Sequence, residues 1–337
     1  MSSEESSRSS RSPAETDAAT AGRPPLRSLL FVPGTRTDWL PKARAAGADA
    51  AILDLEDAVP AADKPAARAQ VADALARAAA TPAEQTGRMA LFVRVNPLDG
   101  WAAAEELRAV LTPGLAGIVL PKVRCAQDVR LADRLLGWCE QEQGLPPGRV
   151  ALVPLLETAR GLREAYDIAR AASRIAYLGA LTAPGGDAER AVGYRWSPEG
   201  TETVALRSRV LLDARAAGVP CPVSGLWTRI GDLPGLRAFA EQNRSLGYEG
   251  MMAIHPSHVP VINEVFSPGP AELARCAELI AAVEAAQGQG TGAVTFQGEM
   301  VDEAMARTAR LVLERHRAQV RSCGGRGARS AEPGEGQ

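Results

Sequence analysis

The chain has 337 residues, 46% of them hydrophobic, 4% aromatic and 23% charged, with a formal net charge of −2. Such a length and apolar content allow one large domain or two small ones with a substantial core, and the near-neutral balance gives no global pull toward nucleic acid or a membrane surface. No apolar run reaches the roughly 18 residues of a membrane span, and five scattered cysteines without CxxC spacing point to reduced thiols in a cytoplasmic protein.

Residues 1–25 are polar, carry Glu4, Glu5, Glu15 and Asp17, and lack the apolar core of a signal peptide, so they are expected to be a disordered tail. Short oily runs follow at Leu29–Val32, Ala51–Leu55, Ala90–Val95, Gly117–Leu120, Ala151–Leu156, Arg174–Leu178, Val219–Val223 and Met251–Ile254. Between them lie segments of helical periodicity: Pro65–Ala80, Ala103–Leu111, Gln127–Glu142, Ala159–Ala172, Glu202–Ala217 and Pro234–Gly247. Eight strands alternating with helices predict an α/β fold, a TIM (β/α)8 barrel over residues 26–268. The segments Leu181–Pro198 and Ser224–Asp232 are expected as long loops at strand ends, where function concentrates. Beyond the barrel, a helix Pro270–Gln287, a Gly-rich turn and a helix Glu299–His316 form a C-terminal helical extension (269–320), either a cap or an arm to a neighbouring subunit, before a second tail at 321–337. No Rossmann GxGxxG, P-loop or GxSxG elbow occurs.

Several oily runs end on chemistry-bearing residues, the placement by which a parallel barrel builds a site at its carboxyl mouth. Glu157 (LLETAR) and Asp187 (APGGDAERAVG) are two carboxylates from adjacent strand ends, a donor pair suited to Mg²⁺. A salt bridge for Glu157 and a helix N-cap for Asp187 are the structural alternatives. Arg94 (FVRVNP) presents a fork for a carboxylate or a developing oxyanion, or an ion pair with Asp54, Glu56 or Asp57. Lys122 (LPKV) could serve similarly but ranks lower. Arg27, Arg36, Lys42, Lys64 and Arg68 cluster around the first two strand–helix units, where they form either a solvated basic face or a grip on the phosphates of a large cofactor. His255 is expected to buttress a turn, and no histidine stands out as a base.

The segments RSLLFVPGTRTDWLPKA (27–43), ADAAILDLEDAVPAADKPAAR (48–68), LFVRVNP (91–97), GIVLPKV (117–123), VPLLETARG (153–161) and AIHPSHVPVINEVFSP (253–268) occur in one order across the predicted barrel. In them the chain resembles the HpcH/HpaI aldolase and citrate lyase β-subunit family, specifically its stand-alone acyl-CoA lyases of malyl-CoA or citramalyl-CoA type. The resemblance implies Mg²⁺-dependent (alternatively Mn²⁺-dependent) cleavage or formation of a carbon–carbon bond next to a coenzyme A thioester, with malyl-, citramalyl- or citryl-CoA as the substrate class. It implies Glu157 and Asp187 as metal ligands, Arg94 on the substrate carbonyl or carboxylate, and Glu56 orienting the metal shell or its water. It also makes TFQGEMVDEAM (295–305) a lid whose Asp302 enters a neighbouring subunit's mouth as acid or base, within a homotrimer. Taken without the resemblance, Asp302 is an exposed carboxylate at a helix start.

Three departures stand out. The loop LGALTAPGGD replaces FGxED, Met251 stands where many relatives carry Lys, and Ser224 stands where they carry Asp. The rival expectations are an aldolase on free hydroxy-keto acids, a CoA thioesterase, and a citrate lyase β-like subunit dependent on partners.

Overall fold

The computed structural model describes residues 23–81 and 89–323. Eight strands close into an all-parallel barrel in chain order: β1 (Ser28–Pro33), β2 (Ala50–Asp54), β3 (Ala90–Arg94), β4 (Gly117–Leu120), β5 (Ala151–Leu156), β6 (Tyr177–Ala180), β7 (Cys221–Ser224) and β8 (Gly250–Ala253), with β8 returning to pair β1. Strands this uniformly buried arise because both faces are covered, one by the barrel lumen and one by helices. The two faces alternate residue by residue. Leu29, Ala50, Ile52, Phe92, Val119, Ala151, Val153, Leu155, Tyr177, Val223 and Met252 fill the lumen. Their neighbours Leu30, Ala51, Leu53, Leu91, Val93, Ile118 and Leu152 pack outward under the helices.

Those helices include α1 (Leu40–Ala45), α2 (Lys64–Ala80), α3 (Trp101–Val110), α4 (Ala126–Glu142), α5 (Ala159–Arg163), α6 (Ala165–Ala169), α7 (Asp187–Val192), α8 (Thr201–Ala216), α9 (Leu233–Leu246) and α10 (His258–Val265). The bottom of the barrel is closed by the incoming chain, since the Tyr177 hydroxyl donates to the Pro24 carbonyl at 2.7 Å and Arg23 donates to the Gly148 carbonyl. Ordered packing therefore begins before residue 26. The rest of the expected N-terminal tail, and that of 321–337 beyond Cys323, lie outside the described residues.

Some elements differ from expectation. The sixth strand begins at Tyr177 rather than Arg174, because the buried Arg174 guanidinium is bound to Glu140 (2.7 Å), Asp133 (2.6 Å) and the Val150 carbonyl, which holds that stretch as an entry to the barrel. The helix expected over Ala159–Ala172 is two short ones, broken at Glu164. The loop after β6 contains α7. In the extension, α11 (Pro270–Gly288) is followed by a hairpin of β9 (Ala293–Phe296) and β10 (Glu299–Asp302), and only then by α12 (Glu303–Cys323). Residues 299–302 are thus strand, not helix. Gln297 and Gly298 both take positive φ, the two-residue turn that matches strand twist.

Leu279, Val283, Val301, Ala306 and Ala309 form a small core of the extension's own. Arg315 on α12 reaches Glu249 at 3.1 Å, and Gln319 donates to the Phe266 carbonyl. Glu249 precedes β8, so this anchor lies at the barrel's amino end, opposite the mouth. No helix among the described residues is long and apolar enough to cross a membrane.

Candidate active site at the carboxyl mouth

The two-residue repeat of the strands carries three charged side chains into the mouth. Asp54 follows Ala50 and Ile52, Arg94 follows Ala90 and Phe92, and Glu157 follows Ala151, Val153 and Leu155, all on the lumen side. Asp54 and Arg94 are direct neighbours in the β2–β3 register. Arg94 forks onto Asp54 through Nε (2.7 Å) and Nη2 (2.6 Å), and Nη1 lies 3.0 Å from Glu56 Oε2. Asp54 also accepts the backbone N–H groups of Glu56 and Ala58, so it folds the LEDAV turn while holding the arginine. Burial works against the Arg94 charge, but Asp54, Glu56 and Glu157 outweigh it and hold the guanidinium above its ordinary range. The Phe31 ring lies under it at 4.8 Å.

Glu157 is 5% exposed, and its Oε1 accepts the backbone N–H of Lys122 at 2.8 Å. Its position is set by a lock between the ends of β4 and β5. The Thr158 hydroxyl accepts from Gly161 N and donates to the Val123 carbonyl, and Gly161 lets α5 approach so closely that a Cβ there would sit 2.2 Å from that carbonyl. Burial pushes the Glu157 carboxyl up, Glu56 adds to it, and the Lys122 N–H opposes it.

Asp187 is the first residue of α7, with Gly186 rather than Asp187 at the N-cap; Gly185 takes the left-handed conformation that turns the chain into the helix. Its carboxylate pairs with Arg190 and lies 3.6 Å from Lys122 Nζ. Glu157 and Asp187 therefore meet at Lys122, and both line one pocket of about 360 Å³ together with Pro97, Val123, Arg124 and Arg190. The donor set fits a hard divalent cation: a buried carboxylate whose bonded partner is a neutral N–H, and a second carboxylate across the same pocket. Among the described residues no three His, Cys, Asp or Glu groups converge as ligands, so two carboxylates would leave the other positions to water and substrate oxygens.

Lys122, ranked below Arg94 from the sequence, has the most ion-pair partners at the rim. Its ammonium contacts Glu56, Asp57 (3.2 Å) and Asp187, which makes it the hub of the rim. The signal available was its position, immediately past an oily run and a proline.

The expected phosphate grip separates into parts. Arg36 and Lys42 sit beyond β1 on the mouth side, at 4.2 and 5.8 Å from the Trp39 ring. Lys64 hydrogen-bonds Asn96, and with Arg68 it lines a second pocket of about 270 Å³ beside Glu106. Arg27 does not join them. It precedes β1 at the amino end and is clamped onto Asp49 at 2.7 Å, so its placement in the grip is corrected by strand direction. Asp302 caps α12, its Oδ1 accepting from Ala304 and Met305. His255 Nδ1 contacts the Ser257 hydroxyl, and His258 is fully buried. Met251 faces the helix layer rather than the lumen, and the Ser224 hydroxyl donates to the Gly250 carbonyl, so neither departure opens onto the mouth.

A family model described as HpcH/HpaI aldolase/citrate lyase matches residues 27–256. The chain belongs to this family. As an HpcH/HpaI family protein it is a lyase. Among similar proteins, the citrate lyase subunit beta-like protein of Deinococcus radiodurans is 39% identical over 292 residues, covering 86% of this chain and 96% of that one. A (3S)-malyl-CoA thioesterase of Cereibacter sphaeroides is 34% identical over 87% of this chain and 95% of its own length. Among solved structures, Mycobacterium tuberculosis CitE in complex with magnesium, acetoacetate and coenzyme A superposes with a TM-score of 0.65 at 28% identity, covering 88% of this chain and 99% of that one.

Proposed function

We propose that this lyase cleaves or forms a 3-hydroxyacyl-CoA such as malyl-, citramalyl- or citryl-CoA by retro-Claisen chemistry. The reading rests on one observation: Glu157 and Asp187, from adjacent strand ends, share a pocket at the carboxyl mouth with Arg94 close by. A similar protein binding magnesium, acetoacetate and coenzyme A supports it. A Mg²⁺ ion held by Glu157 and Asp187, with Mn²⁺ as a substitute, would supply Lewis acidity to the oxygens of the keto-acid half. The bond between C2 and C3 of the acyl group breaks, the C3 hydroxyl loses its proton to become the carbonyl, and the electron pair passes to C2 as a thioester enolate that is then protonated. Arg94, pinned by Asp54, aims its remaining N–H donors at the enolate oxygen, where charge develops. Glu56 would help orient the metal shell or its water. Arg36, Lys42, Lys64 and Arg68 grip the coenzyme A phosphates. The extension over 269–320 is a lid on a neighbouring copy, whose mouth receives Asp302 as proton shuttle, and the assembly is a homotrimer.

The malyl-CoA thioesterase relative favours a second reading, hydrolysis of the same thioester. Products separate the two. With malyl-CoA and Mg²⁺, the lyase yields acetyl-CoA and glyoxylate, and Glu157→Gln loses turnover by about 10³-fold or more. Release of malate and free coenzyme A without glyoxylate would select the thioesterase. Cleavage of free hydroxy-keto acids alone would select the aldolase.

A further inference from the structure

The rim of the mouth gathers five carboxylates (Asp54, Glu56, Asp57, Glu157 and Asp187) against three cations, Arg94, Lys122 and Arg190. Among these groups the acids outnumber the bases. The three cations are not equivalent. Arg94 is tied down by the Asp54 fork, and Arg190 is largely exposed on α7. Lys122 stands between the acids. Its Nζ touches Glu56 and Asp57 from the β2 end and reaches 3.6 Å to Asp187 from the β6 end. Its own backbone N–H, meanwhile, holds Glu157.

Lys122 is also held in a conformation that side chains seldom take, φ 51°. That turn lets one residue address Glu157 with its main chain and Asp187 with its side chain. A lysine needed merely to balance Glu56 and Asp57 would not have to reach across to Asp187.

We propose that Lys122 is the resident counter-ion of the divalent-cation site: its ammonium, held on Glu56 and Asp57 within reach of Asp187, offsets the negative charge around the site and so sets how tightly it takes Mg²⁺. This inference rests on the assignment of Glu157 and Asp187 as metal ligands. Two consequences follow from electrostatics. Removing the lysine charge leaves the rim more negative, which weakens the metal-free fold and strengthens the pull on a divalent cation. The backbone contact to Glu157 does not involve the side chain, so Gln or Asn at this position retains the N–H that holds Glu157.

The test is calorimetric titration of Mg²⁺ into the full-length protein, its Lys122→Gln and Lys122→Asn variants, and an Arg190→Gln control, with thermal melts in chelator and at saturating Mg²⁺. Asn is included because it tolerates the left-handed backbone. Both Lys122 variants should bind Mg²⁺ about tenfold more tightly than the parent. They should melt lower in chelator and recover with Mg²⁺, and Arg190→Gln should shift affinity by less. Equal or weaker Mg²⁺ binding by both Lys122 variants, with the parent binding normally, overturns the counter-ion role and leaves the metal site standing. Failure of the parent itself to bind Mg²⁺ overturns the site assignment and this role with it.

Discussion

Arg94 and Glu157 are each fixed in the mouth by what holds them. The bidentate Asp54–Arg94 pair fixes the plane of the guanidinium, and a lysine in its place keeps a charge but loses that fork. Arg94→Lys is therefore expected to lower kcat by about 10²- to 10³-fold with a smaller change in KM, read from steady-state kinetics on malyl-CoA. Glu157 depends instead on a residue with no side chain. Gly161→Ala sets a methyl 2.2 Å from the Val123 carbonyl, so α5 must back away and carry the Glu157–Lys122 contact with it. Urea unfolding should show a loss of about 1–3 kcal/mol, accompanied by weaker Mg²⁺ binding. A Gly161→Ala protein with parental stability and affinity would mean the lock between the β4 and β5 ends is dispensable.

At the scale of elements, strand parity explains both what the sequence made legible and what it hid. Asp54, Arg94 and Glu157 each stand in step with the lumen residues before them, so an oily run ending in a charge was a sound pointer to the mouth. Lys122 falls out of step and reaches the mouth through a left-handed backbone turn, which no periodicity reveals. Arg27 shows the converse failure: it adjoins an oily run on the amino side, and strand direction sends it to the opposite end. The strand β10 falls where the sequence suggests the start of a helix, because residues 299–302 lack a clear alternation, although Gln297–Gly298 carries a turn signal. Element contacts also shape the segment following Arg94. Glu106 on α3 accepts the Asn96 backbone N–H at 2.7 Å, and burial, against the pull of those Asn96 bonds, raises its carboxyl above the ordinary 4.5. Below pH 4.5 both folded and unfolded chains hold this proton, and the group contributes no difference. As pH rises through the elevated folded value, the folded state ionises at a cost the unfolded state does not bear, and stability falls. The melting temperature of Glu106→Gln minus that of the parent should accordingly increase between about pH 4.5 and pH 7. A flat or inverted difference would place the Glu106 proton elsewhere.

For the whole molecule, the lid proposed for the extension raises the question of which mouth it would serve. In its own chain it is fastened to the amino end of the barrel through Arg315 and Gln319, while Glu157, Asp187 and Arg94 lie at the carboxyl end. A lid tethered on the far side serves a mouth belonging to another copy more readily than its own, as the homotrimer reading requires. If so, a working site draws Glu157 from one chain and Asp302 from the next, and the two can be broken in separate molecules. Glu157→Gln and Asp302→Asn homomers should each be nearly inactive. Co-expressed in equal amounts, they form mixed rings in which an intact barrel meets an intact lid at about a quarter of the sites, since each condition is met half the time. Activity should return to roughly that fraction of the parental kcat, with parental KM, because the restored sites contain every native side chain. Mixed assemblies that stay as inactive as their parents would place Asp302 in the same site as the Glu157 of its own chain, and active Asp302→Asn homomers would remove it from the chemistry altogether.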